Sequence, residues 1–182
     1  MHYYNMNPYR MNEDIIIREG RPEDAEALLA FLNIVGAETD NMTFGSEGFP
    51  FSLEDERAYL KRMHEDEHSV SMLAFCGDRI IGDASISGMS RRMSHRAELG
   101  ISVLREFWSR GVGSLLLESV ISYARSHGIE FISLEVRSDN ERAIRLYERY
   151  GFVKSGTWPA YFRIGDDYID FDIMYLDLRD PQ

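Results

Sequence analysis

A single cysteine, Cys76, stands in a chain of 182 residues. That excludes an internal disulfide and any zinc centre built on several thiolates. The five histidines are scattered without ligand spacing, so no metal is expected. No apolar run approaches the roughly 18 residues of a membrane span. The polar and aromatic opening segment has no apolar stretch of the signal-peptide kind, and Met11 offers an alternative start. Positive charge is also scarce: 20 Lys and Arg face 31 Asp and Glu, a net charge of −11. The basic residues cluster only at Arg91, Arg92 and Arg96. A phosphate backbone demands more than that, so neither nucleic acid nor membrane is an expected partner. The acidic balance keeps a protein soluble, and it would also favour a cationic acceptor such as an amine. There is no repeat and no low-complexity linker. The reading is a cytoplasmic protein with an N-terminal extension over residues 1–13 and one domain over residues 14–182.

Apolar residues make up 44% of the chain, enough for one good core. Their spacing predicts strands at Ile15–Glu19, Ser69–Cys76, Arg79–Ser87, His95–Val103, Phe131–Val136, Phe152–Thr157 and Tyr168–Leu176. Helices are predicted at Pro22–Val35, Leu53–Asp66, Gly111–His127 and Glu141–Tyr150. Pro22 suits a first helical turn, Ser138-x-x-Glu141 reads as a capping box, and Gly128 and Gly151 stand where helices stop. Gly77-Asp78 reads as a hairpin turn. In the third helix Val112, Leu116, Val120 and Ala124 form a stripe beside Leu117 and Ile121, the mark of a helix covering a sheet. The fold class is α/β (α+β), with helices on a largely antiparallel sheet and one strand–helix–strand unit in the middle.

Two stretches carry chemistry. Trp108-Ser109-Arg110-Gly111-Val112-Gly113 leads from a strand into the third helix. Two glycines at a helix start let the backbone approach a ligand and leave the first N–H groups pointing outward, an anion site. A dinucleotide fingerprint would want a third glycine where Leu116 stands. Some thirty residues on come Asn140, Ala143, Tyr147, Gly151 and Phe152. Together the stretches resemble the GNAT family of N-acetyltransferases, whose pattern is Gln/Arg-x-x-Gly-x-Gly/Ala followed by Asn-x-x-Ala-x-x-x-Tyr-x-x-x-Gly-Phe. The resemblance runs from about Ile15 to Leu178, in the manner of the amino-acid and ribosomal-protein branch. It departs at one place, where Trp108 replaces the usual Gln or Arg.

The resemblance implies a mixed, mostly antiparallel seven-stranded sheet with a splayed central strand pair, helices on both faces, and acetyl-CoA as co-substrate. Backbone groups of Ser109, Arg110, Gly111, Val112, Gly113 and Ser114 would hold the pyrophosphate. Ile101 and Val103 would pair with pantetheine like an extra strand, with Asn140, Ala143 and Tyr147 beside it. By position alone Tyr147 is a core residue; the resemblance makes it the acid that protonates the leaving thiolate. Glu98 shares a strand face with Gly100 and Ser102, away from Ala97, Leu99, Ile101 and Val103. A carboxylate in mid-strand beside a glycine points to a cleft and to a general base, the alternative being a solvent-facing edge or an ion pair with Arg96 or Arg92. Glu135 is a second candidate. The long loop Gly36–Ser52 offers acids and aromatics for the acceptor. Glu38, Thr43, Phe44 and Phe49, with Glu98, are the expected substrate contacts. The segment Thr157–Arg163 is a further wall or a dimer contact.

These readings converge on direct transfer of an acetyl group to the primary amine of a small molecule, an amino acid or similar, in a ternary complex. The alternatives are a protein N-terminus as acceptor, or an acyl-CoA-binding sensor without catalysis. A homodimer is expected from the family's habit.

Overall fold

The computed structural model describes residues 15–179; the expected extension over residues 1–13 lies outside them. The chain opens on β1 (Ile15–Glu19), turns once at Pro22–Asp24, and continues into α1 (Ala25–Glu38) and α2 (Leu53–Glu65). Next come β2 (Val70–Cys76), β3 (Arg79–Gly88), β4 (Arg96–Val103), α3 (Val112–Ser126), β5 (Phe131–Arg137), α4 (Glu141–Arg149), β6 (Val153–Ile164) and β7 (Asp167–Asp177). The seven strands form one sheet in the order β1-β2-β3-β4-β5-β7-β6. All neighbours are antiparallel except β4 and β5.

Local chemistry sets the boundaries. Arg18 grips both carboxylate oxygens of Asp24 at 2.7 Å, fixing β1 to the turn that starts α1. Ser52 and Asp55 cap α2 reciprocally. Gly77 takes φ +58 in the β2–β3 hairpin, where a side chain would be strained. Val112, Leu116, Leu117, Val120 and Ala124 of α3 are buried on one face of the sheet. A Cβ on Gly82 would lie 2.9 Å from Leu116 Cδ1, so that glycine allows α3 to seat closely.

Three expectations need correction. Helix α1 runs to Glu38 rather than Val35. The strand expected to stop at Thr157 continues as β6 to Ile164, bent by an irregularity between Trp158 and Phe162 where Ala160 adopts φ +54. No capping box forms at Ser138: Asn140 caps α4, its Oδ1 accepting from the Ala143 N–H, while the Ser138 hydroxyl donates to Asp172 Oδ1 at 2.6 Å. A buried carboxylate needed that donor more than the helix end did.

The sheet face beneath α2 is unusually polar. Ser71 pairs across with Ser85, which pairs with Gly100, and Asp83 pairs with Ser102, whose hydroxyl donates to Asp83 at 2.6 Å. Glu56 of α2 is 1% exposed, and its Oε2 has no hydrogen-bond partner. Burial, reinforced by Asp83, pushes the Glu56 carboxyl up to about 7, and burial raises Asp83 to about 6. Both groups hold protons more tightly in the folded chain than in the unfolded one. The stability this contributes is therefore complete below about pH 4.5 and is lost as pH rises to 7, by about 3 kcal/mol for Glu56. Thermal melts followed by circular dichroism will show Tm falling between pH 5 and pH 8. Glu56→Gln will remove most of that fall and raise Tm at pH 8 by several degrees.

Candidate active site

The site begins where the sheet comes apart. Strands β4 and β5 pair only at Arg96–Phe131, Ala97–Ile132 and Glu98–Ser133. Beyond that point β5 continues along β7 to Arg137, while β4 continues along β3 to Val103. The Leu104 N–H donates to the Ile81 carbonyl at 3.0 Å. By alternation Ser102 also faces β3, and the backbone groups of Ile101 and Val103 turn into the gap. One of these groups departs from expectation. The Val103 carbonyl already accepts from the Trp108 indole N–H at 2.7 Å, so only its N–H remains for a ligand.

The loop after β4 forms a cradle. Ser109 and Gly111 hold φ of +59 and +86, and Gly111 caps α3. The first helical bond runs from the Leu115 N–H to the Gly111 carbonyl. The amides of Val112, Gly113 and Ser114 thus lie ahead of the hydrogen-bonded ladder, at the positive end of the helix dipole. A Cβ on Gly113 would meet Leu146 at 3.3 Å, so α4 packs directly behind the cradle. Arg110 is exposed with its guanidinium 5.4 Å from the Phe107 ring.

Beside the ends of β4 and β5 opens a cavity of about 680 Å³, walled by Arg105, Trp108, Arg137, Asn140 and Arg142 on one side and by residues 37–41 on the other. Arg142 lies 3.4 Å from the Trp108 ring centroid and Arg105 lies 5.4 Å from it. The Arg105 N–H donates to Glu38 Oε2 at 2.8 Å, and its guanidinium donates to the Glu38 carbonyl. Arg137 donates to the Asp40 carbonyl at 3.3 Å and pairs with Asp139 at 2.7 Å. The end of α1 is therefore latched to the ends of both splayed strands. Glu38, expected to attract an ammonium group, is one of these latches. Asn140 spends its carbonyl on the Ala143 N–H, leaving its amide NH2 on the cavity wall. Arg105, Arg137, Arg142 and the Asn140 amide share this cavity with the acids Glu38, Asp40, Asp139 and Glu141.

Tyr147 lies on α4, which packs against α3, whereas Glu98 lies on the sheet face away from α3. Tyr147 is 6% exposed on α4, its ring 5.7 Å from Phe152. Burial raises its hydroxyl well above the ordinary phenol range, so it keeps its proton. Glu98 is exposed on the face away from α3, where the last β4–β5 pair ends. Glu135 shares that face two residues along β5. Partial burial, the Glu98 charge and a hydrogen bond that the protonated Glu135 donates to the Glu98 carboxylate all push the Glu135 carboxyl up. Burial and both carboxylates raise the Tyr161 hydroxyl of β6 as well. The two candidate bases thus form one carboxyl pair with a phenol beside them.

The acceptor loop is more ordered than its length suggested. Phe44 is 8% exposed and packs on Gly36, which makes it a core residue and corrects its reading as an acceptor wall. Phe49 sits 4.7 Å from Phe44 and 4.8 Å from Phe51, and its N–H donates to Asn33 Oδ1 at 2.8 Å. Thr43 is exposed. The Arg105–Glu38 latch gave no sequence signal, because it joins residues 67 positions apart whose proximity only the fold creates. Among the described residues no cluster of His, Cys, Asp and Glu has the makings of a metal site. No helix among them is long and apolar enough to cross a membrane.

Comparison with known proteins follows the same lines. The profile of the Acetyltransferase (GNAT) family matches residues 36–152. The chain is 33% identical over 108 residues to the L-amino acid N-acetyltransferase AaaT of Escherichia coli, covering 58% of this chain and 67% of that protein. It is 33% identical over 125 residues to the N-alpha-acetyltransferase RimI of Mycobacterium tuberculosis, covering 68% and 76%. A GNAT-family acetyltransferase from Streptococcus pneumoniae superposes with a TM-score of 0.88 at 32% identity, covering 90% of this chain and 99% of that one. Splayed strands, glycine cradle and matching sequences place this chain in the GNAT family of N-acetyltransferases.

Proposed function

We propose that the chain moves an acetyl group from acetyl-CoA to the primary amine of a small molecule, an amino acid or similar, with both substrates bound together. One observation carries this reading: the Glu98–Glu135 carboxyl pair stands where the pairing of β4 with β5 ends and the gap begins. When bound, the thioester supplies an acyl carbon open to attack by an amine. The cradle amides of Val112, Gly113 and Ser114 hold the pyrophosphate, and the free edge of Ile101 with the Val103 N–H holds the pantetheine arm. Trp108 does by indole hydrogen bond what its position requires of the loop: it pins the turn to the end of β4.

Glu98, with Glu135 sharing its proton, takes the proton of the incoming ammonium. A modest base suffices, since an α-amino group with a pKa near 8 is already partly neutral at pH 7. A free β4 amide meets the acyl oxygen, a contact worth roughly 3 kcal/mol in comparable sites. The buried Tyr147 hydroxyl, which keeps its proton until the C–S bond breaks, is the donor to the departing sulfur. The reading includes a cytoplasmic homodimer, and the exposed Trp158 and Tyr168 of the β6–β7 hairpin support such a pairing face.

Thiol release with an amine panel tests the whole assignment, and failure of coenzyme A to bind in calorimetry would end it. Tyr147→Phe will lower kcat about 100-fold with acetyl-CoA affinity unchanged; undiminished turnover would remove Tyr147 as the acid. Glu98→Gln will cost most below pH 7, about 100-fold, and progressively less as pH passes the amine's own pKa. A loss equal at every pH would strike out Glu98 as the base.

A further inference from the structure

The sheet face that carries Glu98 holds a second cavity, about 450 Å³, between the later turns of α2 and the ends of β2 and β3. Tyr59, Arg62 and Met63 wall it from α2, with Ser69 and Ser87 from the sheet side. Ser87 pairs directly with Glu98 in the β3–β4 register. Residues paired in this way lie side by side on one face, within about 5.5 Å at Cα. The cavity and the carboxyl pair are therefore adjoining parts of one surface.

The charges in the cavity are unevenly satisfied. Glu65 pairs with Lys61 at 3.8 Å. Asp66 accepts the Ser69 hydroxyl at 2.7 Å and the His68 N–H at 3.0 Å. Arg62 makes no ion pair among the described residues; its guanidinium stands 6.0 Å from the Tyr59 ring centroid. Tyr59 is anchored in turn by a hydrogen bond with Ser85. In a chain with eleven more acidic than basic side chains, the cavity beside the base presents an uncommitted cation.

We propose that this cavity is the carboxylate end of the acceptor site: Arg62 binds the carboxylate of a free amino acid and so presents its amine to Glu98 and Glu135. The assignment rests on the acetyl-transfer reading above. A guanidinium fork matches a carboxylate bidentately, and the α2 scaffold carries that fork beside the sheet face that holds the acids. A zwitterion meets both charges in the correct order. A polyamine would bring further positive charge against Arg62, and a peptide N-terminus offers an uncharged amide where the carboxylate belongs. Met63 and the Tyr59 ring leave an apolar wall for a side chain. The volume, at the small end of ligand sites, suits a single amino acid.

The test measures acetylation of a set of L-amino acids, their carboxamides, a short peptide and a polyamine, using wild type, Arg62→Ala and Arg62→Lys. Wild type will prefer the acid to its carboxamide. Arg62→Ala will raise KM for the acid about 30-fold, while the carboxamide, which lacks the contact, shifts less than threefold. Arg62→Lys will recover part of the loss. Acetyl-CoA binding, read by calorimetry, will be the same in all three proteins. Equal use of acid and carboxamide by wild type overturns the assignment, as does an equal KM rise for both in Arg62→Ala, or acetylation of only the peptide or the polyamine. In the first two cases coenzyme A still binds and a small amine is still acetylated, so the parent reading stands; acetylation of the peptide alone would also overturn its small-molecule acceptor. Loss of coenzyme A binding in wild type would instead bring down both.

Discussion

Three hydrogen-bonded residue pairs between β4 and β5, and no more, govern this molecule. Because the pairing stops at Glu98 and Ser133, two strand edges that would satisfy each other face a gap instead. Every feature of the site is a response to that gap. The Gly111–Gly113 turn follows the end of β4, Asn140 follows the end of β5, and the carboxyl pair stands at the vertex. Parallel strands joined through a helix tolerate such a parting, since β3 and β7 hold the outer edge of each strand through its full length. The gap costs backbone hydrogen bonds, and the surrounding core, from Leu73 through Ile132 to Phe152, supplies the stability that allows it.

Much of this was legible in the sequence, for identifiable reasons. The buried stripe of α3 shows because apolar residues recur at helical spacing over four turns. The cradle shows because only glycine takes φ +86 without strain, so Gly111 marks the turn by identity alone. Glu98 shows because a carboxylate interrupts an alternating strand. The illegible parts depend on residues brought together by the fold. Phe44 resembles any loop aromatic until Gly36 is seen beneath it. Ser138 looks like a helix cap until Asp172, thirty-four residues away, claims its hydroxyl. The length of β6 was hidden because Pro159 and the bulge at Ala160 read as an end, whereas the antiparallel partner β7 carries the strand past them.

The distribution of charge gives the site its sense of direction. Arginines 105, 137 and 142 gather on the cofactor side, two of them engaged in holding α1 against the splayed strands. Acids gather on the opposite face, at Glu98 and Glu135, and again deeper at Glu56 and Asp83.

The indole of Trp108 has a consequence beyond the loop it holds. An uncovered strand edge is a template on which another chain's strand can add, and a parted sheet exposes two such edges at once. By occupying the Val103 carbonyl and lying flat under Arg142, the indole breaks the ladder that a stray strand would need to dock. One acceptor of the uncovered β4 edge is thereby withdrawn from strand pairing.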